Sequence, residues 1–158
     1  VYTAVERVKK SPAQRLGDVY SARLAFVSMS MTTTPFKENT IKALSIVRPS
    51  GSRIACGDKT LEVRRWQPGL APTEDLLIVE NGRFLHAEGD EDEDGLAVAI
   101  VRVTAVRPFV LADMQAACAN SFEQGWLAWE LSDVRPVTPP VPVRAARGIY
   151  EVDAGLLS

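Results

Sequence analysis

The sequence predicts a mainly β domain with short helices (α+β), a small, partly closed barrel of five to six strands. Three observations lead there. Apolar residues alternate with polar ones over short windows, the period of a half-buried strand. Turn-forming Pro, Gly and Asn separate those windows at brief intervals. A chain of 158 residues, 46% hydrophobic and 24% charged, is long enough for one core and too short for two comfortable ones.

Taken in order, residues 1–40 carry no sustained helical or strand period and read as a poorly ordered N-terminal extension, with Met29 or Met31 as the expected natural start. The folded domain is expected over residues 41–155. "KALSIVRP" sets Leu44 and Ile46 against polar neighbours as a strand that Pro49 ends. "SGSRIACG" suits a short helix, with Ser50 as N-cap and Gly57 as the left-handed residue that closes it. "TLEVRRW" returns to the strand period, placing Leu61 and Val63 on one face and Thr60, Glu62 and Arg64 on the other.

"DLLIVENGRFLHAE" holds two apolar runs around Asn81-Gly82, a strong hairpin signal. "GLAVAIVRVTAVRPF" is a long, Val-rich and mostly buried strand. "LADMQAACANSF" suits a helix, "WLAWEL" a strand, "RPVTPPVPVR" an extended crossing segment and "GIYEVD" a closing strand.

Formal net charge is −2, but six acids (Glu88, Asp90, Glu91, Asp92, Glu93, Asp94) fall in one run, leaving 14 acids against 18 bases elsewhere. Such a block reads as a solvated, mobile loop. The body is therefore mildly basic, which permits a polyanionic partner. Two cysteines without CxxC spacing and a single histidine, His86, give no basis for a zinc site or a disulfide framework. Cys56 and Cys118 read as small buried side chains, His86 as an exposed hairpin residue. No metal, cofactor or membrane partner is expected, and a reducing cytoplasm fits.

The segment Gly57–Trp66, "GDKTLEVRRW", packs Lys59, Glu62, Arg64 and Arg65 into one strand-length stretch. Glu62 and Arg64 would lie on one face about 6.6 Å apart, with Lys59 reaching the same space from the helix-strand junction. An arginine fork and a lysine point charge suit an anionic group or a base edge. The plain alternative is a solvated face whose ion pair contributes ~0–1 kcal/mol. Trp66, Trp126, Trp129 and Tyr150 are aromatics that could stack bases, though such residues are more often core; Trp129 alternates with Leu127 and Leu131 as a core residue would, and Trp66 is the one assigned to a cleft rim.

These residues resemble a known family. Gly57, Lys59, Glu62 and Arg64 match the Gly-x-Lys-x-x-Glu-x-Arg motif at the opening of the ASCH (activating signal cointegrator homology) domain, and Trp66 suits it. "GLAVAIVRVTAVRPF", "WLAWELSDVRPV" and "PVPVRAARGIYEVD" follow in the family's order, so the likeness covers about residues 42–153. It implies a PUA-like β-barrel with a charged cleft beside the first helix, and association with RNA or other nucleic acids. Some ASCH-type proteins are hydrolases of RNA or of an acetylated cytidine nucleoside. In the nucleoside deacylases the motif lysine works with a threonine three residues later; here Glu62 stands in that place.

The leading expectation is binding of RNA or a nucleotide-like small molecule by Lys59, Glu62 and Arg64, with Arg48 and Trp66 as further candidates. The alternative in the same cleft is a metal-independent hydrolase, a ribonuclease or an acetylated-nucleoside amidohydrolase, using Lys59, Glu62 and Ser132. By default Ser132 is a strand-end hydroxyl. A third reading is a protein-interaction adapter, which predicts an exposed apolar patch in place of a basic groove.

Overall fold

The computed structural model describes residues 39–158. The expectations for residues 1–38, including the start at Met29 or Met31, lie outside the described residues. Strand β1 (Thr40–Val47) leads into helix α1 (Ser50–Ala55), and β2 (Leu61–Arg64), β3 (Asp75–Asn81), β4 (Glu91–Asp92) and β5 (Leu96–Pro108) follow. After a 3-10 turn at Leu111–Asp113 come β6 (Leu127–Pro142), β7 (Ala145–Ala146), β8 (Ile149–Asp153) and a last 3-10 turn at Ala154–Leu157. Six strands form one mixed sheet in the order β2-β6-β5-β3-β1-β8, with β1 and β3 parallel, and β4 pairs with β7 alone.

The ladder does not close on itself: β2 and β8 are its edges. It is nevertheless strongly curled. Four inter-strand steps of about 4.8 Å would set β2 and β1 roughly 19 Å apart in a flat sheet, yet Arg64 of β2 donates from Nη2 to the Ser45 carbonyl of β1 at 3.1 Å. The main core fills the inside of that curl, where Leu44, Ile46, Leu76, Ile78, Val101 and Trp129 are buried with Ile54 of α1. Alternate residues of the same strands, Ala43, Leu77 and Val79, bury against Val143, Ala145 and Val152 on the other face. This two-sided burial explains the unbroken apolar run of β3.

Several expectations are corrected. Ser50 is the first helical residue and not the cap, which is Pro49 without a side-chain bond. The helix start is satisfied from β3, where the Glu80 carboxylate accepts from Ser52 N at 3.0 Å and from the Ser52 hydroxyl. Gly57 does take the left-handed conformation, at φ +86°. Asn81-Gly82 forms no hairpin. Asn81 is buried in register with Val47, its amide donates to the Arg83 carbonyl at 2.6 Å, and β3 finds its antiparallel partner in β5.

Residues 111–122 form a single 3-10 turn followed by hydrogen-bonded turns, because their carbonyls are taken by other elements. Ala116 O accepts from Thr60 N and Leu61 N, and Ala117 O from Lys59 Nζ. Cys118 at φ +48° then ends any helical path. Tertiary contact overrides helix propensity here.

The proline-rich segment is extended, as expected, and belongs to β6. Its prolines lie beyond Glu130, where β2 no longer pairs with that strand, so the missing N–H groups cost no ladder bond on the free side. Cys56 is exposed and Cys118 half-buried, against the expectation of buried thiols. The acidic run is braced and not a free loop, since β4 within it pairs with β7. Among the described residues no helix is long and apolar enough to cross a membrane.

Candidate functional site

Strand β2 carries the charged stretch. Glu62 is only 5% exposed and lies between two cations, with Lys59 Nζ at 3.2 Å from one carboxylate oxygen and Arg64 Nε at 2.8 Å from the other. Lys59 is likewise buried, and its ammonium also donates to Ala117 O at 2.7 Å. Lys59 and Glu62 thus form an internal base for Arg64, whose guanidinium is partly open to solvent.

That guanidinium is fixed from a second side by the Ser45 carbonyl. The Ser45 hydroxyl accepts from Ala146 N at 3.1 Å and lies 2.8 Å from the Tyr150 hydroxyl. Burial pushes the Tyr150 phenol above its ordinary pKa, and the Ser45 bond partly offsets this. One serine therefore ties together β1, β7, β8 and the arginine of β2. It also fixes the backbone just before Arg147, whose own N–H reaches Asp90 O at 3.3 Å.

Above this base runs a groove in two joined parts. A cavity of about 310 Å³ is lined by Val63, Arg64, Arg65, Trp66, Trp126 and Arg147. A narrower one of about 100 Å³ shares Arg64 and Arg147 and is lined also by Ser45, Asn81, Arg83 and Phe84. Among the described residues no carboxylate lines either part. Arg65 is partly neutralised by Glu123 at 3.2 Å and lies 5.5 Å over the Trp126 ring. Arg147 is exposed and has no ion pair among the described residues. Trp66 meets the buried Trp129 edge to face at 4.9 Å, and its carbonyl accepts from the Trp129 indole.

Of the residues singled out from the sequence, Arg64 and Trp66 line the groove, while Lys59 and Glu62 lie behind Arg64. Arg48 points elsewhere and donates to Asp94 O at 3.2 Å. Ser132 lies on β6 opposite Arg102 of β5, and no hydrogen bond joins it to Lys59 or Glu62 among the described residues. Arg147, Arg83, Phe84 and Ser45 were not found from the sequence as site residues, whereas Trp126 and Tyr150 were weighed there as base-stacking aromatics and not assigned to the cleft. For the first four, only the alternation around Ser45 in β1 and the isolated basic Arg147 before Gly148 offered any signal.

A family model described as the ASCH domain matches residues 44–141. The solved structure of the ASCH protein from Zymomonas mobilis is similar at 14% identity, with 73% of this chain and 89% of that chain covered and a TM-score of 0.52. A serine-to-alanine variant of the same Zymomonas mobilis protein aligns at 14% identity over 73% and 89% of the two chains, with a TM-score of 0.49. No curated relative matches the chain in sequence. At 14% identity the likeness to the first of these, at a TM-score of 0.52, concerns the fold alone, a strand-rich domain with one short helix against a mixed sheet.

Proposed function

The chain belongs to the ASCH domain family, and from that premise we propose that it binds RNA or a nucleotide-like ligand in the groove between Arg64, Arg147 and Trp66. We read its curled sheet as PUA-like and its cellular setting as the cytoplasm. One observation carries the binding reading: among the described residues, four arginines and two tryptophans and no carboxylate line the two cavities that share Arg64 and Arg147. Guanidinium forks match phosphate oxygens, and indole faces stack bases without regard to sequence. Glu62 and the Ser45 carbonyl hold Arg64 in place before any ligand arrives, which reduces the ordering cost of binding.

The hydrolytic alternative asks Lys59, Glu62 or Ser132 to face the ligand. Lys59 and Glu62 are engaged with one another below Arg64, so binding is the reading that the geometry favours. The experiment is fluorescence anisotropy of a short labelled single-stranded RNA titrated with the chain, beside Arg64→Ala and Arg147→Ala, at low and moderate salt. Affinity that falls with salt and drops in both variants supports the reading. Affinity unchanged by either variant, or no binding by wild type, would overturn it. Shortening of the RNA during the titration would restore the hydrolytic alternative.

A further inference from the structure

Phe84 is 69% exposed, the most exposed of the large apolar side chains among the described residues, and it lines the cavity that Trp66 does not. The loop that carries it is held firmly. Gly82 N donates to the Asp92 carboxylate at 3.2 Å, and His86 N and Ala87 N both donate to Asp90 at 2.9 Å. The Arg83 guanidinium bonds to the Glu91 carbonyl. The Ala87 and His86 N–H groups hold the Asp90 carboxyl below the ordinary aspartate range, and the Asp94 N–H and then that of Gly82 do the same for Asp92. The acidic run thus spends two of its carboxylates on bracing the loop that presents Phe84. The His86 ring stacks against Phe84 at 5.7 Å, and Phe84 keeps most of its surface in solvent.

We propose that the groove is a two-base site for single-stranded RNA, with one base on Phe84, the next at the Trp66 end, and the intervening phosphate held by Arg64 and Arg147. This inference rests on the nucleotide-binding reading of the groove. The make-up of the two cavities carries it: Phe84 lines one, Trp66 lines the other, and Arg64 and Arg147 line both. A mononucleotide would use one ring and leave the other in water. A dinucleotide engages both rings through one phosphate.

The test compares adenosine monophosphate, a dinucleotide of two adenosines and a six-adenosine RNA as ligands for the full chain. Wild type is set beside Phe84→Ala, Phe84→Leu, Phe84→Trp and Arg147→Ala. The dinucleotide should bind at least about tenfold more tightly than the monophosphate, as an added base stack implies. Phe84→Ala and Phe84→Leu should remove about that factor for the dinucleotide, bringing it toward the monophosphate, while Phe84→Trp retains it. Equal affinity for the two ligands in wild type, or a dinucleotide affinity indifferent to Phe84→Ala, would overturn the two-base site. If Arg147→Ala still weakens RNA binding in that case, the broader reading survives. Binding of none of the three ligands would overturn both.

Discussion

Glu62 and Arg64, two positions apart on β2, share a hydrogen bond of 2.8 Å from Nε to Oε1, with the carboxylate buried and the guanidinium facing the groove. The same carboxylate holds buried Lys59. Removing Glu62 leaves that lysine without its counter-charge, so Glu62→Ala should cost about 3–5 kcal/mol of stability. Lys59→Ala should cost less, because Glu62 keeps Arg64 as a partner. Urea unfolding of the two variants checks the ordering, and a Glu62→Ala cost under about 1 kcal/mol would mean that the group is hydrated after all.

Arg147 is exposed and has no ion pair among the described residues, so its contribution should fall on the ligand and not on the fold. Arg147→Ala should leave stability within about 0.5 kcal/mol of wild type. It should weaken single-stranded RNA binding and lower the salt slope by roughly 0.7, one phosphate contact fewer. Arg64→Ala should lower both affinity and stability. Anisotropy at three salt concentrations beside a thermal melt separates the two; equal stability losses would contradict the assignment.

Tyr150 and Ser45 couple the groove to the sheet edge. The Tyr150 phenol is raised above its usual value, first by burial, and the Ser45 bond acts the other way. A neutral acid favoured by folding contributes stability that is complete below its unfolded pKa of about 10 and is lost as pH rises through the folded value. Alkaline unfolding should therefore be steeper in wild type than in Tyr150→Phe. Ser45→Ala removes the offsetting bond and should push phenolate absorbance to still higher pH, while costing about 1–3 kcal/mol through the stranded Ala146 N–H. A phenol titrating at or below the ordinary value in Ser45→Ala would contradict this.

The parts of the fold legible in the sequence are those whose signals are local. β1, α1, β2, β5 and β8 follow from period and punctuation, and the motif from Gly57 to Arg64 led to the family. Expectations failed where a distant partner decides. Asn81-Gly82 has the chemistry of a tight turn, yet Asn81 is drawn into parallel register with Val47, a pairing no local window reveals. The helix expected after Val110 loses its carbonyls to Lys59, Thr60 and Leu61. In the groove, Arg64 and Trp66 stand within the recognised motif. Arg147 gains its place through the Ala146–Ser45 bond, across 101 positions of chain.

Asp75 joins three strands, accepting from Arg135 of β6 at 3.2 Å and from Arg102 of β5 at 3.1 Å while lying on β3 itself. Its carboxyl is held below the ordinary range, first by Arg135 and then by Arg102. A depressed carboxyl contributes stability that is present above its unfolded pKa of about 4 and is lost as pH falls through the lower folded value. All three side chains are more than a third exposed, so solvent screens the pairs and the total should be about 1 kcal/mol. Asp75→Asn should lower stability by that amount at neutral pH, less at high salt, and converge with wild type well below pH 4. Urea midpoints measured from acid to neutral pH check it. A gap that stays constant down the acid limb would mean that Asp75 acts through its shape and hydrogen bonds and not through its charge.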